Sequence, residues 1–111
     1  MEYLLFICTD TEPDPGGELP GEVDAWVEEG TRTGKRKFGD ALRPISDATT
    51  LRIRNGETLL TDGPFAETKE WIAGIDVLDC KDLDEAIDYA SRHPMARFGR
   101  IEIRPFMVWD D

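Results

Sequence analysis

Histidine occurs once in the 111 residues and cysteine twice, and no apolar run approaches the roughly 20 residues that a membrane-spanning helix needs. Cys8 and Cys80 are too few for a disulfide framework and stand in no CxxC or Cys/His spacing, which excludes a structural zinc site. GxSxG, the phosphate-binding P-loop, the dinucleotide fingerprint and HExxH are all missing. Covalent hydrolysis, nucleotide chemistry and zinc-peptidase chemistry therefore have no support, and no cofactor or metal is expected. Positive charge is also scarce: 13 basic residues face 24 acidic ones, for a net charge of −11. A surface of that sign repels phosphate backbones and anionic lipid heads, so direct binding to nucleic acid or membrane is disfavoured. The opening MEYLLFICTD has an acidic second residue and a very short apolar stretch, which suits a first strand better than a signal peptide and leaves a cytoplasmic location as the expectation.

What is present suits one soluble domain over residues 1–111, with 40% hydrophobic residues, three Trp and five Phe available for a core. Residues 2–8 (EYLLFIC) are a continuous apolar run, expected to be a central strand buried on both faces. A Pro- and Gly-rich loop over residues 10–21 leads to GEVDAWVEEG, where Val23, Trp26, Val27 and Gly30 recur at helical spacing, with Trp26 as the core anchor. The following TRTGKRK, four of seven positions cationic, reads as a solvated helix end and turn. KFGDAL is a short second strand, and TTLRIR and ETLLT form a hairpin about Asn55-Gly56, the dipeptide best able to hold the positive φ values of a two-residue turn.

WIAGIDVLDC alternates, with Trp71, Ala73, Ile75 and Val77 on one face and Ile72, Gly74, Asp76 and Leu78 on the other. In KDLDEAIDYASRHP, Asp82 is the expected N-cap and Glu85 completes a capping box. Leu83, Ala86, Ile87 and Ala90 form the apolar stripe, and Pro94 is the stop. GRIEIRPFMVW alternates again, with Ile101 and Ile103 opposite Glu102, Arg104, Phe106 and Val108. The order is βαβ, an inserted hairpin, then βαβ: an α+β, ferredoxin-like sandwich in which the first strand and the strand over residues 71–80 are antiparallel central neighbours. Cys8 and Cys80 then fall at opposite ends of the sheet.

Two short helices cover one sheet face. The other is expected to carry Leu or Phe from the first strand with Ile72, Leu78, Phe106 and Val108, too apolar to stay wet, so a homodimer packed sheet to sheet is predicted. Asp76, Glu102 and Arg104 on that same face would either form an ion network at its rim or line a small polar cavity between subunits.

The stretch TDGPFAETKEW (residues 61–71), preceded by TTLRIRNGETLL and followed by WIAGIDVLDC, KDLDEAIDYASRHP and IEIRPF, resembles the DGPF subgroup of the YCII-related family over nearly the whole chain. The resemblance implies a ferredoxin-like fold of the dimeric α/β-barrel type and no established reaction. It also implies kinship with accessory proteins encoded near extracytoplasmic-function sigma factors. Members of the broader family carry a proposed catalytic pair, a His on the first helix and an Asp just ahead of the Pro that ends the second. This chain departs from that pattern: its first helix has no His, and His93 stands before Pro94. His93 is a weak catalytic candidate that titrates near neutrality, or a helix-end residue bonded to the last carbonyls.

In the elbow, Asp62 can accept backbone N–H bonds, Gly63 can supply a positive φ, and Pro64 fixes the next φ. Phe65 would anchor the elbow to apolar surface. Two functions follow as expectations. In the first, a small polar molecule binds between the elbow and the sheet, with Asp62 as acid/base or orienting carboxylate and Phe65, Glu67, Lys69 and Arg104 as binding residues; no reaction is assigned. In the second, the chain is a non-catalytic module that meets a partner from a sigma-factor system through its acidic surface.

Overall fold

The computed structural model describes residues 1–10, 22–63 and 72–109. The Pro- and Gly-rich loop at 11–21 and the elbow beyond Gly63, with Phe65, Glu67, Lys69 and Trp71, lie outside the described residues.

β1 (Glu2–Thr9), α1 (Glu22–Thr33) and β2 (Arg36–Ala41) are followed by the hairpin β3 (Thr49–Arg54) and β4 (Glu57–Asp62). Then come β5 (Ile72–Asp79), α2 (Leu83–Ala90), the one-turn α3 (Met95–Phe98) and β6 (Gly99–Pro105). Four strands form one sheet in the order β2-β5-β1-β6, and every neighbouring pair is antiparallel. With the hairpin set aside, this α+β arrangement is consistent with a ferredoxin-like fold. The apolar run at the chain start gives β1 its central place, between β5 and β6. Cys8 pairs with Ile72 at one end of the sheet and the Cys80 N–H donates to the Met1 carbonyl at the other, so the two buried cysteines form no disulfide and lie far apart in the sheet. No helix among the described residues is long and apolar enough to cross a membrane.

One sheet face meets the helices. Tyr3, Leu5 and Ile7 of β1 and Leu78 of β5 form a core with Trp26 of α1 and with Ala86, Tyr89 and Ala90 of α2, and Ile101 and Ile103 of β6 pack at its margin. This corrects the expected placement of β5. Leu78 stands opposite Tyr3, and Asp76 opposite Leu5, so both lie on the helix-covered face. The face away from the helices carries Leu4, Phe6, Ile75 and Val77, with Phe38 beside Val77; Val77 is buried there and Phe38 is exposed. The strand alternates as predicted, but its two faces are exchanged, because the helix side accepts one carboxylate held by an arginine.

α2 docks through part of the predicted stripe, Ala86 and Ala90, with Tyr89 in place of Leu83 and Ile87. Leu83 and Ile87 are 48% and 46% exposed, whereas Ala86, Tyr89 and Ala90 are buried. Two alanines let the helix approach closely while the tyrosine reaches beneath α1. Asp82 caps the helix as expected, accepting the Glu85 N–H at 2.9 Å, but Glu85 reaches back to the Lys81 N–H rather than to that of the cap. α2 ends before Pro94, which instead opens α3, a turn that periodicity did not show.

The hairpin turns at Asn55-Gly56 with φ of 52° and 78°, as a tight two-residue turn requires. β3 and β4 form a separate two-stranded ribbon, tied at its base by Gly63 N–H to the Ala48 carbonyl and by Thr50 Oγ1 to the Gly63 carbonyl, each at 2.7 Å.

Candidate functional site

The site begins with two aromatic side chains that lock the helices together. The Trp26 indole N–H donates to the Tyr89 carbonyl at 2.8 Å, and the Tyr89 hydroxyl donates to the Trp26 carbonyl at 2.5 Å. Their rings stack with centroids 4.2 Å apart and planes within 9°. Gly30 makes this possible, since a Cβ there would lie 2.0 Å from the Tyr89 hydroxyl. Burial pushes the Tyr89 phenol well above its ordinary range, so it stays a neutral donor.

This clasp positions His93. Its ring sits edge-on to Trp26, centroids 4.7 Å apart at 71°, and only 6% of the residue is exposed. Nδ1 accepts the Met95 N–H at 3.0 Å, so in the neutral imidazole the proton resides on Nε2, which is left as a donor. Burial first, and the nearby Arg36 cation second, lower the His93 pKa to about 4. The expectations of titration near neutrality and of bonding to the last helix carbonyls are both overturned: desolvation keeps the ring uncharged, and its nitrogen accepts from the next turn. Outside His93, Arg92 pairs with Glu29 and Asp88, and Arg97 pairs with Glu22, bracing α1 against the segment that carries the imidazole.

On the sheet below, Arg36 Nε donates to Asp76 Oδ1 at 2.8 Å, with side chains 14% and 8% exposed. Gly39 leaves the space for the carboxylate, because a Cβ there would fall 2.0 Å from the same oxygen. Burial raises the Asp76 pKa, Arg36 opposes that shift, and Asp40 reinforces it. A cavity of about 350 Å³ lies between α1 and the β2–β5 side of the sheet. Arg36, Asp76 and His93 supply its inner polar groups with the exposed Asp40 also in its lining, and Ile7, Trp26 and Val27 belong to its apolar wall. Among the described residues no buried side-chain nitrogen or oxygen lacks a partner, and no group of three His, Cys, Asp or Glu side chains could hold a metal.

The three described residues singled out for binding or catalysis are not brought together. Asp62 is exposed at the end of β4, opposite Thr49 in the ribbon. Arg104 is 69% exposed on β6, 3.9 Å from Glu102 and beside Leu4 on the face away from the helices. His93 alone reaches the cavity. Phe65, Glu67 and Lys69 fall outside the described residues. Arg36, within the expected solvated basic turn, is instead paired in the fold, and Asp76 lies on the helix-covered face rather than the opposite one. The signal for Asp76 was an acid two residues after a glycine inside an otherwise apolar strand.

A family model for the YCII-related domain matches residues 2–110. The chain belongs to that family. The match takes in every residue of the cavity, so the site is part of the YCII-related domain itself. An uncharacterized protein of Rhizobium meliloti (strain 1021) is 44% identical over 77 residues, which is 66% of this chain and 62% of that protein. The aligned region thus spans less than two thirds of that relative's length.

Proposed function

We propose that this YCII-related chain is a small-molecule-binding domain whose site is the helix–sheet cavity, in place of the elbow between Asp62 and the sheet. The observation that carries this reading is the convergence of Arg36, Asp76 and neutral His93 on one largely apolar cavity. Pockets of this kind bind through apolar walls and use a few polar groups to set orientation. A fitting ligand has a small apolar body and one carbonyl or carboxylate oxygen. That oxygen accepts from His93 Nε2–H and from the guanidinium, while Asp76 fixes the guanidinium. Asp76, with its raised pKa, is the acid/base group if the ligand is turned over.

Ligand-observed NMR against a set of small carboxylic acids and ketones tests this with Val27→Trp, which fills the cavity from α1, and His93→Asn, which removes the Nε2 donor. Binding lost in the first variant and weakened about tenfold in the second is the expected result. Binding that survives both and disappears in Asp62→Ala would return the site to the elbow, with Phe65, Glu67, Lys69 and Arg104 as its remaining residues.

The motif Asp62-Gly63-Pro64-Phe65 supports placement in the DGPF subgroup, and with it a partner in a sigma-factor system. The net charge of −11 favours that second reading, since it suits a basic protein surface. Co-purification from the native cell under low salt checks it, and recovery of no sigma-factor component counts against it. A cytoplasmic homodimer of the α/β-barrel type belongs to the same proposal.

A further inference from the structure

We infer that the helix–sheet cavity selects an uncharged ligand group with a hydrogen-bond donor beside an acceptor, the pattern of a carboxamide, and turns away both carboxylates and cations. This rests on the cavity being the binding site, and it narrows the ligand from carbonyl or carboxylate compounds to uncharged ones.

Three polar side chains meet at the cavity, each engaged on one side and open on the other. Arg36 donates through Nε to Asp76 Oδ1 at 2.8 Å. Among the described residues neither terminal nitrogen of Arg36 makes a hydrogen bond, and neither does Asp76 Oδ2. His93 is occupied at Nδ1 by the Met95 N–H, which leaves Nε2–H without an acceptor. None of these open atoms is shut off from the surface, and all three residues line the cavity. Groups so far withdrawn from bulk water, with bonding capacity to spare, are suited to orienting a ligand. Together they offer donors from Arg36 and His93 and an acceptor from Asp76. A ligand that satisfies them all must accept and donate from neighbouring atoms.

Charge decides against an ionised ligand. The charged residues of the lining are Arg36, Asp76 and the exposed Asp40. His93, with its pKa lowered to about 4, adds no charge at neutral pH. Arg36 and Asp76 cancel each other, so a carboxylate would enter a largely apolar cavity as an uncompensated charge. It would also meet Asp40, whose field reaches Asp76. A cation has the opposite fault, because it lies beside the guanidinium and offers no acceptor to Arg36 or His93. A carboxamide avoids both: its oxygen accepts from Arg36 or His93, and its nitrogen donates to Asp76 Oδ2.

Benzoate, benzamide and benzamidine share one shape and differ in charge and donor pattern, while acetophenone keeps the carbonyl and loses the donor. Their affinities by ligand-observed NMR at neutral pH, on the full chain and on Val27→Trp, test the inference. Benzamide should bind about tenfold or more tightly than each of the other three, and Val27→Trp should abolish its binding. Asp76→Asn removes one negative charge and should shift the preference toward benzoate by about tenfold. If that variant does not fold, the order among the four compounds on the wild type decides alone. If Val27→Trp does not fold, His93→Asn, which removes the Nε2 donor, should weaken benzamide about tenfold in its place. Benzoate, benzamidine or acetophenone binding as tightly as benzamide, with binding still lost in Val27→Trp, overturns the selectivity and leaves the cavity as the site. Failure of all four to bind the wild type overturns the selectivity too. Benzamide binding that survives Val27→Trp and His93→Asn overturns the cavity as the site, and this inference with it.

Discussion

The uncharged state of His93 makes a quantitative acid test possible. In the unfolded chain the imidazole titrates at its ordinary 6.5, whereas in the fold its pKa is lowered to about 4 by burial and by Arg36. A lowered histidine pKa means that the unfolded chain takes up the proton first. The contribution of His93 to stability is therefore complete above pH 6.5 and is lost as pH falls toward 4. Linkage with these two values gives a loss of about 2 kcal/mol by pH 5 and about 3 kcal/mol by pH 4. For a chain of this length 2 kcal/mol corresponds to a drop of about 8 °C in Tm. The control is His93→Asn, whose side-chain oxygen can still accept the Met95 N–H but cannot titrate. Urea unfolding of both proteins at pH 7.5, 6 and 5 isolates the histidine, because the carboxylates are common to both and cancel in the difference. The variant starts less stable, having lost the edge contact with Trp26, and should close on the wild type by about 2 kcal/mol at pH 5. If the gap stays constant within about 0.5 kcal/mol from pH 7.5 to 5, His93 is not held neutral by burial and the electrostatic account of the cavity is wrong.

The helix clasp and the buried ion pair give two further tests. Gly30→Ala should destabilise by about 1–3 kcal/mol in thermal unfolding although alanine is the better helix former, because its Cβ would press on the Tyr89 hydroxyl. Tyr89→Phe should cost about 1–2 kcal/mol by leaving the Trp26 carbonyl without its O–H donor, and the two changes together should cost less than their sum. Asp76→Ala should cost about 3 kcal/mol or more in urea unfolding by stranding a guanidinium that is 14% exposed, while Arg36→Met with Asp76→Leu should recover most of that loss. Equal costs for the single and the double variant would show that the pair is solvated.

Most of the fold was legible because its signals are local. Asn55-Gly56 prescribes its turn by positive φ, Asp82 with Glu85 marks a helix start, and the apolar run 2–8 reads as a central strand whatever surrounds it. The misses came where tertiary contact chose between locally equal options. Nothing in KDLDEAIDYASRHP ranks Tyr89 above Leu83 or Ile87 as a buried residue. What ranks it is Gly30, 59 positions away, which leaves a space that a phenol fills and whose neighbour Trp26 offers a carbonyl to its hydroxyl. The short turn of α3 was hidden for a related reason, since Pro94 is as compatible with beginning a turn as with ending one.

The functional site depended on a single choice of face. In WIAGIDVLDC the alternation is unambiguous, but each set contains apolar residues, and the set free of charge reads as the one that meets the helices. That inference treats a carboxylate as a cost to be exposed. It fails when a cation from another strand can be brought alongside: Arg36 enters from β2 opposite Leu78, and a register shift between Arg36 and Phe38 lets the strand present Arg36 toward the helices and Phe38 away from them. The same irregularity thus does two things. It supplies the partner that makes Asp76 tolerable under α1, which opens a polar floor beneath an aromatic and aliphatic roof. It also turns Phe38 outward, where it enlarges the apolar patch on the opposite face. One bulged strand therefore shapes both faces of the sheet, the polar floor of the cavity on the helix side and the apolar patch around Phe38 on the other.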